Sequence, residues 1–294
     1  MATIKNLVFE GGGVKGIAYI GVINALRRHS LYSKIDGWAG ASAGSIMAML
    51  GAMRVSYSDL YEIIWNTNFK TLQDDSIGYI RDIIRLFRKF GFYKGDKLYN
   101  WLGFLCHKYC KNMDISFNQI YNKYDSDLRI VATDINTCKP VYFNKNTHPD
   151  LPIRDAIRAS CSIPLYYTAK KIEKDIYVDG GLISNFPIYV FDYKEDDQLV
   201  SNPHTVGCKL ITSKSLIRID GKMNCKKFAK SLAQIIMDQV GNMHIKTNDW
   251  KRSIKIPTGV IGATDFNLTK DQKKSLIDAG FNAATQFLEG RMAT

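Results

Sequence analysis

The stretch Gly40-Ala41-Ser42-Ala43-Gly44 lies between a short apolar segment and a long run of small and apolar residues. A serine between two glycines at this spacing is typical of a nucleophile elbow, a sharp strand-to-helix turn that exposes the serine hydroxyl. The turn strains the serine backbone, and glycines on either side avoid steric collisions with it. We expect a strand over residues 34–39 and a helix over residues 45–53. The pattern predicts an enzyme with Ser42 as nucleophile, supported by Gly40 and Gly44.

A second glycine-rich segment lies near the amino terminus and reads Gly11-Gly12-Gly13-Val14-Lys15-Gly16. Between a strand and a helix, its amides would point at an anion where the helix dipole is positive. It could bind a dinucleotide, because Asp36 lies 20 residues after Gly16, where a ribose-binding acid is expected. It could instead form an oxyanion hole, in which the amides of Gly12 and Gly13 stabilise the charge that develops when Ser42 attacks a carbonyl. Only the second interpretation explains the elbow.

A carboxylate that could serve the serine occurs much later in the chain, in Asp179-Gly180-Gly181. In isolation this string usually marks a turn. A hydrolase triad normally takes histidine as its base, but no histidine after Ser42 lies in a convincing setting. These histidines are His107, His148, His204 and His244. A triad esterase using one of the last two, and a non-catalytic lipid- or nucleotide-binding module, both stay open.

The composition sets broad limits on class and partners. The chain has 294 residues, 46% of them hydrophobic, and a formal net charge of +12 that favours anionic partners such as phospholipid surfaces or nucleic acids. Residues 77–90 combine apolar residues at helical spacing with Arg81, Arg85 and Arg88, which predicts a basic amphipathic helix, either at a membrane surface or packed on the core. No signal peptide or bilayer-spanning segment is recognisable, so we expect a cytoplasmic protein that contacts membranes only peripherally. The six cysteines show no zinc or disulfide spacing, so we expect reduced thiols and no metal.

The three motifs, in this order, resemble those of the patatin-like phospholipases. Three connecting segments agree with the family as well, namely residues 132–143, 157–164 and 177–187. The resemblance covers about residues 4–188. It implies an α/β fold, a three-layer α/β/α sandwich with a mostly parallel central sheet and a helical cap insertion at about residues 56–122. We expect residues 1–294 to form one such domain.

By the same resemblance, Ser42 is the nucleophile and Asp179 is its direct base, in a dyad without histidine. The oxyanion hole is then formed by Gly11, Gly12 and Gly13 with support from Lys15, and the motifs are completed by Gly16, Gly40, Gly44, Gly180 and Gly181. The implied activity is hydrolysis of fatty-acyl esters in phospholipids or related lipids through an acyl-enzyme, without calcium or another cofactor and with no nucleic-acid partner. Burial should raise the pKa of Asp179 above about 3.9. We expect Lys15 to face the oxyanion rather than Asp179.

Overall fold

The computed structural model describes residues 3–74, 90–213 and 246–292, together with residues 85, 86, 88, 228, 231, 232 and 235. The helices in these ranges are α1 (Tyr19–Arg28), α2 (Ala43–Ala52), α3 (Tyr57–Asn66), α4 (Asp96–Cys110), α5 (Phe117–Tyr124), α6 (Ile153–Ser160), α7 (Thr247–Lys251) and α8 (Lys270–Met292). The strands are β1 (Asn6–Phe9), β2 (Gly37–Ala41), β3 (Gly91–Tyr93), β4 (Asp127–Asp134), β5 (Lys139–Phe143), β6 (Leu165–Tyr167), β7 (Lys170–Ile172), β8 (Asp175–Asp179), β9 (Tyr193–Glu195), β10 (Gln198–Val200), β11 (Thr205–Thr212) and β12 (Ser253–Gly259). The sequence pattern also predicts helices over 76–90 and 223–247, and both stretches lie largely outside the described residues.

Within the described ranges, a central sheet of eight strands organises the fold. Parallel pairs join β12, β11, β1, β2 and β4 in that order, and β5, β8 and β7 extend the sheet through antiparallel pairs. Helices flank the sheet: α2 packs on β1, β2 and β4, α6 packs on β4 and β8, and α8 packs on β12. The expected α/β fold with a mostly parallel central sheet is confirmed.

Residues 7–9 of β1 and all of β2 are buried, which explains why these stretches consist of apolar and small residues. Trp38 in β2 is fully buried and stacks on Phe9 of β1, with ring centroids 6.4 Å apart. A Cβ at Gly51 of α2 would lie 2.3 Å from the Trp38 ring, so only glycine lets α2 pack so closely on this side chain. Trp38 therefore belongs to the core of the sheet.

Several local predictions need adjustment. The strand expected at 34–39 begins later, at Gly37, because Tyr32–Lys34 form a 3₁₀ turn. The apolar spacing from Val14 to Arg28 predicts a helix, but this segment starts as a 3₁₀ turn, Gly13–Ala18, before α1. The polar stretch at residues 194–197 predicts a surface loop, and the structure has there the exposed turn of the hairpin β9–β10.

Three helices, α3 to α5, lie between α2 and β4 in the part of the chain that is described. In the same region β3 pairs in parallel with β6, which follows α6, so this helical region is tied to the segment after α6. The extent of the cap insertion at 56–122, and the treatment of residues 1–294 as one domain, stay predictions.

Thiols and acidic side chains give few candidate sites outside the motifs. Buried free thiols are found at Cys106, Cys110, Cys161 and Cys208, whereas Cys138 is exposed. Within the described ranges, no group of three or more His, Cys, Asp or Glu side chains is arranged to hold a metal ion. A search of the same ranges for a helix with the length and apolar character to cross a bilayer finds none.

Candidate active site

The sheet brings Ser42 and Asp179 together at one point of β4. Strand β2 runs parallel to β4 and ends at Ala41 opposite Val131, while β8 runs antiparallel and ends at Asp179 opposite Ala132. Ile130 and Val131 of β4 pair with both β2 and β5, and residues 132–134 pair with both β8 and β5. Since β5 occupies one edge of β4, β2 and β8 must share the other edge. The two strands therefore run towards each other and leave the sheet at neighbouring positions.

Ser42 has the backbone conformation of a nucleophile elbow. Its φ of 50° and ψ of −127° lie in a region that non-glycine residues rarely adopt, directly before the first turn of α2. A Cβ at Gly40 would lie 2.4 Å from the Gly44 carbonyl, and one at Gly44 would lie 2.4 Å from the Phe9 carbonyl. Both glycines are needed because the turn presses α2 against β2 and against the end of β1.

Ser160, the last residue of α6, holds the strained turn in place through hydrogen bonds. Its hydroxyl accepts a hydrogen bond from the Ser42 amide at 2.9 Å and donates one to the Val131 carbonyl at 2.5 Å. Ser160 is fully buried, so this bridge is shielded from competing water. It links the elbow to the position on β4 where β2 ends.

Asp179 is fully buried at the end of β8. Its Oδ1 accepts a hydrogen bond from the Gly181 amide at 2.7 Å, which the turn after β8 makes possible. Burial raises the pKa of the carboxyl from 3.8 to about 7, against the lowering effects of the Gly181 amide and of a hydrogen bond with the Ser42 side chain. The Ser42 hydroxyl is near enough to lower this pKa, but Oδ2 has no partner of regular hydrogen-bond geometry within the described residues. The carboxyl group can thus hold or release a proton near neutral pH.

Gly180, directly after Asp179, allows this close approach. A Cβ at Gly180 would lie 2.3 Å from the Val131 carbonyl and 3.3 Å from the Ala41 Cβ. The turn after β8 therefore packs directly on the residue before Ser42. The segment around Asp179 and the elbow are therefore in direct contact beside β4.

The glycine-rich loop lies beside the elbow, after β1. The Gly11 amide donates to the Asn185 carbonyl at 2.9 Å, and the Val14 amide donates to the Ala263 carbonyl at 3.0 Å. Between them, the amides of Gly12 and Gly13 make no hydrogen bond with any described residue. A Cβ at Gly11 would lie 3.1 Å from the Ser42 Cβ, so the loop passes very close to the serine.

Gly13 holds the loop in a conformation that requires glycine. Its φ is +56°, and a Cβ there would lie only 1.8 Å from the Ala263 carbonyl. Gly16 has no such constraint, since its Cβ would meet ordinary contacts at 3.4 Å or more. The loop therefore needs Gly13 for its shape and Gly11 for its approach to Ser42.

A buried ion pair supports the start of this loop. Glu10 accepts hydrogen bonds from Lys209 Nζ through Oε1 and from the Leu210 amide through Oε2, the latter at 2.8 Å. Both charged side chains are almost fully buried. Burial raises the pKa of Glu10, and Lys209 opposes that rise. The pair joins the end of β1 to β11, directly before Gly11.

Lys15 is buried next to the same network. Its Nζ donates to the Thr212 hydroxyl at 3.0 Å, and its charge lowers the pKa of Glu10. The side chain runs past Gly12, where a Cβ would lie 3.5 Å from Lys15 Cε. That Lys15 faces the oxyanion stays a prediction.

The dinucleotide interpretation fails on geometry. Asp36 precedes β2 and forms ion pairs with Lys5 and Arg54, whereas the glycine-rich loop follows β1. Because β1 and β2 are parallel, with Asn6 opposite Gly37, these two features lie at opposite ends of the strands. A ribose-binding acid would have to follow β2.

No hydrogen bond joins Ser42 or Asp179 to any of the described histidines. His204 lies at the amino ends of β1 and β11, where its carbonyl accepts from the Asn6 amide and its ring bonds to the Thr3 carbonyl. His107 is exposed on α4, and His148 packs edge-on against Phe143. His244 lies outside the described residues.

The predicted basic helix at 77–90 also lies mostly outside the described residues. Arg85 is buried and donates to the Phe92 carbonyl at 2.5 Å, while Arg88 is exposed. Arg81 is among the residues that are not described. Of the two arginines described within residues 77–90, only Arg88 is on the surface.

Sequence reasoning did not assign a role to Ser160, Glu10, Asn185 or Lys209. Glu10 directly precedes Gly11, and Asn185 follows Gly181 after three residues, so their proximity to the glycine motifs is the signal that could have found them. Lys209 gave a weaker signal, as a single charge within the apolar strand β11. Polar residues inside such segments are buried with partners when they occur at all.

Comparison with known proteins agrees with the motifs and the fold. The family model for patatin-like phospholipase matches residues 7–192. The uncharacterized protein YqhO of Bacillus subtilis (strain 168) is 28% identical over 296 residues, covering 96% of this chain and 97% of that protein. The probable lipid hydrolase 463L of Invertebrate iridescent virus 6 is 27% identical over 185 residues, covering 63% of this chain and 62% of that protein.

The fold has a counterpart among solved structures. The crystal structure of VipD from Legionella pneumophila superposes with a TM-score of 0.64 at 17% sequence identity, covering 98% of this chain and 67% of that chain. This likeness concerns the fold alone, whereas the family model covers more than half of the chain together with its motifs. The resemblance is confirmed: the chain belongs to the patatin-like phospholipase family of lipid hydrolases.

Proposed function

We propose that the chain hydrolyses fatty-acyl esters of phospholipids or related lipids, with Ser42 as nucleophile and Asp179 as its base. One observation carries the proposal: β2 and β8 end side by side on β4, so the strained serine stands next to a fully buried carboxyl group. No described histidine lies in this position, which supports a dyad over a triad. The family match supports an ester of a lipid as the substrate.

In the first step the Asp179 carboxylate accepts the hydroxyl proton as Ser42 Oγ attacks the acyl carbonyl carbon. The carbonyl oxygen becomes an oxyanion, which the amides of Gly12 and Gly13 can stabilise because they have no described partner. Gly11 contributes by lacking a side chain, since its own amide is bonded to Asn185. The intermediate then collapses, the C–O bond to the alcohol breaks, and Asp179 returns the proton to the leaving oxygen.

The second step repeats this chemistry with water. Asp179 takes a proton from a water molecule that attacks the acyl-Ser42 ester, and the same amides stabilise the new oxyanion. The ester bond to Ser42 breaks, Oγ regains a proton from Asp179, and the fatty acid is released. No step uses calcium or another cofactor.

The raised pKa of Asp179 fits the role of a base. A carboxylate with an ordinary pKa is a weak base for a serine hydroxyl, whereas one with a pKa of about 7 accepts a proton more readily. Since the ionised form is the active one, kcat/KM should rise with pH and reach half its maximum near pH 7.

We also propose that the protein contacts anionic membrane surfaces peripherally. The net charge of +12 supports this, because it attracts the chain to anionic lipid. The cytoplasmic location stays a prediction.

Labelling with a fluorophosphonate probe tests the nucleophile directly. Wild type should be labelled, Ser42→Ala should not, and Asp179→Ala should be labelled far more slowly. Ser56→Ala is the matched control, because Ser56 only caps the first turn of α3 and should leave labelling unchanged. Equal labelling of wild type and Ser42→Ala would contradict the proposal, and fatty acids released from phosphatidylcholine vesicles identify the ester that is cut.

A further inference from the structure

Asn185 holds both polar backbone groups of Gly11. Its carbonyl accepts a hydrogen bond from the Gly11 amide at 2.9 Å, and its Nδ2 donates to the Gly11 carbonyl at 3.1 Å. The same Nδ2 donates to Glu10 Oε1 at 3.2 Å. Asn185 is 5% exposed, so these bonds are shielded from water. Gly11, the first residue of the glycine-rich loop, is thus held by the backbone and the side chain of a single residue, Asn185.

The orientation of the Asn185 amide follows from its neighbours. Glu10 Oε1 and the Gly11 carbonyl are both acceptors, so the amide nitrogen must face them. The oxygen Oδ1 is left buried without a partner among the described residues. A Cβ at Gly11 would lie 2.3 Å from this oxygen and 3.1 Å from Ser42 Cβ, so Asn185 and Ser42 border the same small space.

The turn that carries Asn185 begins at Asp179. The Gly181 amide bonds to Asp179 Oδ1 at 2.7 Å, and the Ser184 amide bonds to the Gly180 carbonyl at 2.8 Å. This hydrogen-bonded turn has the carboxyl group at one end and the contact with Gly11 at the other. It is therefore a short, direct connection between the proposed base and the proposed oxyanion loop.

We propose that Asn185 is a positioning residue for acyl transfer, which holds Gly11 so that the amides of Gly12 and Gly13 stay aligned with Ser42. This inference rests on the proposed function of the site. Asn185 acts through the loop rather than on the substrate. A misplacement of about 1 Å in such a site can cost a factor of about 100 in rate, so the loss of this clamp should appear in kcat.

The test compares Asn185→Ala with a buried amide elsewhere. Asn144→Ala is the matched control, since Asn144 is also buried and its Nδ2 donates to the Tyr142 carbonyl, in the turn after β5. With p-nitrophenyl butyrate as substrate, kcat of Asn185→Ala should fall at least about tenfold with KM within about twofold. Asn144→Ala should keep kcat within about twofold of wild type. A kcat of Asn185→Ala within about threefold of wild type, or an equal fall in both variants, would overturn the inference.

A second substitution distinguishes the effect of losing the hydrogen-bond donor of Asn185 from the effect of losing the volume of its side chain. Asn185→Asp keeps the shape of the side chain but turns an oxygen towards Glu10 and the Gly11 carbonyl, where a donor is needed. Its kcat should fall at least as far as that of Asn185→Ala. A kcat like that of wild type in this variant would rule out the clamp.

Amide hydrogen exchange provides a readout that needs no activity. The peptide covering residues 9–18 should exchange faster in Asn185→Ala than in wild type. In Asn144→Ala the exchange rate of this peptide should equal that of wild type. If wild type cuts no ester but this exchange difference appears, the proposed function fails and the clamp on the loop stands. If wild type is active, and if Asn185→Ala has the same exchange rate and the same kcat as wild type, the clamp fails and the proposed function stands.

Discussion

Replacing Asp179 by asparagine should make the protein more stable at alkaline pH while abolishing its activity. The carboxyl group is fully buried, and its pKa is raised from 3.8 to about 7. At 1.36 kcal/mol per pKa unit, ionising this carboxyl group costs about 4 kcal/mol more in the folded protein than in the unfolded chain. Asparagine keeps an oxygen that can accept the Gly181 hydrogen bond but carries no charge.

The sign of the pH dependence follows from the two pKa values. Below pH 3.8 the carboxyl group is protonated in both states and has no effect on the free energy of unfolding. Between about pH 4 and pH 7 the unfolded chain releases the proton first, so the free energy of unfolding of wild type falls as pH rises. Above pH 7 both states are ionised and the loss is complete.

Urea unfolding of wild type and Asp179→Asn from pH 4 to pH 8.5 measures this difference, because the other titrating groups are common to both proteins. The two should be nearly equal at pH 4, and the variant should be more stable by up to about 4 kcal/mol at pH 8. A difference that does not change with pH, or a wild type that is the more stable protein at pH 8, would refute the reasoning. The expected result is a gain of stability at the expense of function, as is common at active sites.

Three further outcomes follow from the same geometry. Ser42→Gly should be more stable than Ser42→Ala by about 1 kcal/mol, because glycine accepts a φ of 50° and a ψ of −127° without strain, and equal melting temperatures would contradict this. Lys209→Met should lower the free energy of unfolding by about 3–5 kcal/mol, since it leaves Glu10 buried without its ion-pair partner. Adding Glu10→Gln to that variant should restore most of the loss in urea unfolding, and a double variant as unstable as the single one would count against the ion pair. His204→Ala should keep hydrolysis of p-nitrophenyl butyrate within about twofold of wild type, and a large loss would restore the triad.

The sequence alone determined the local structures that carry the chemistry. A serine between glycines predicts an elbow because only small residues tolerate the turn, and the positive φ of Ser42 agrees with that steric reason. The order of the three motifs indicated the family and the α/β fold, both of which are confirmed. Each motif could be recognised from the sequence because it is defined by residues close together in the chain.

Only the tertiary structure decided which distant residues meet. Ser42 and Asp179 become neighbours because β2 and β8 end on adjacent residues of β4, a pairing that no local pattern reveals. The same applies to Glu10 and Lys209, which are brought together by the pairing of β1 with β11. The tertiary structure also placed Asp36 and His204 at the far ends of their strands, which argues against a dinucleotide site and against His204 as the base. Burial, which raises the pKa of Asp179, is a property of the packed molecule and cannot be read from a single segment.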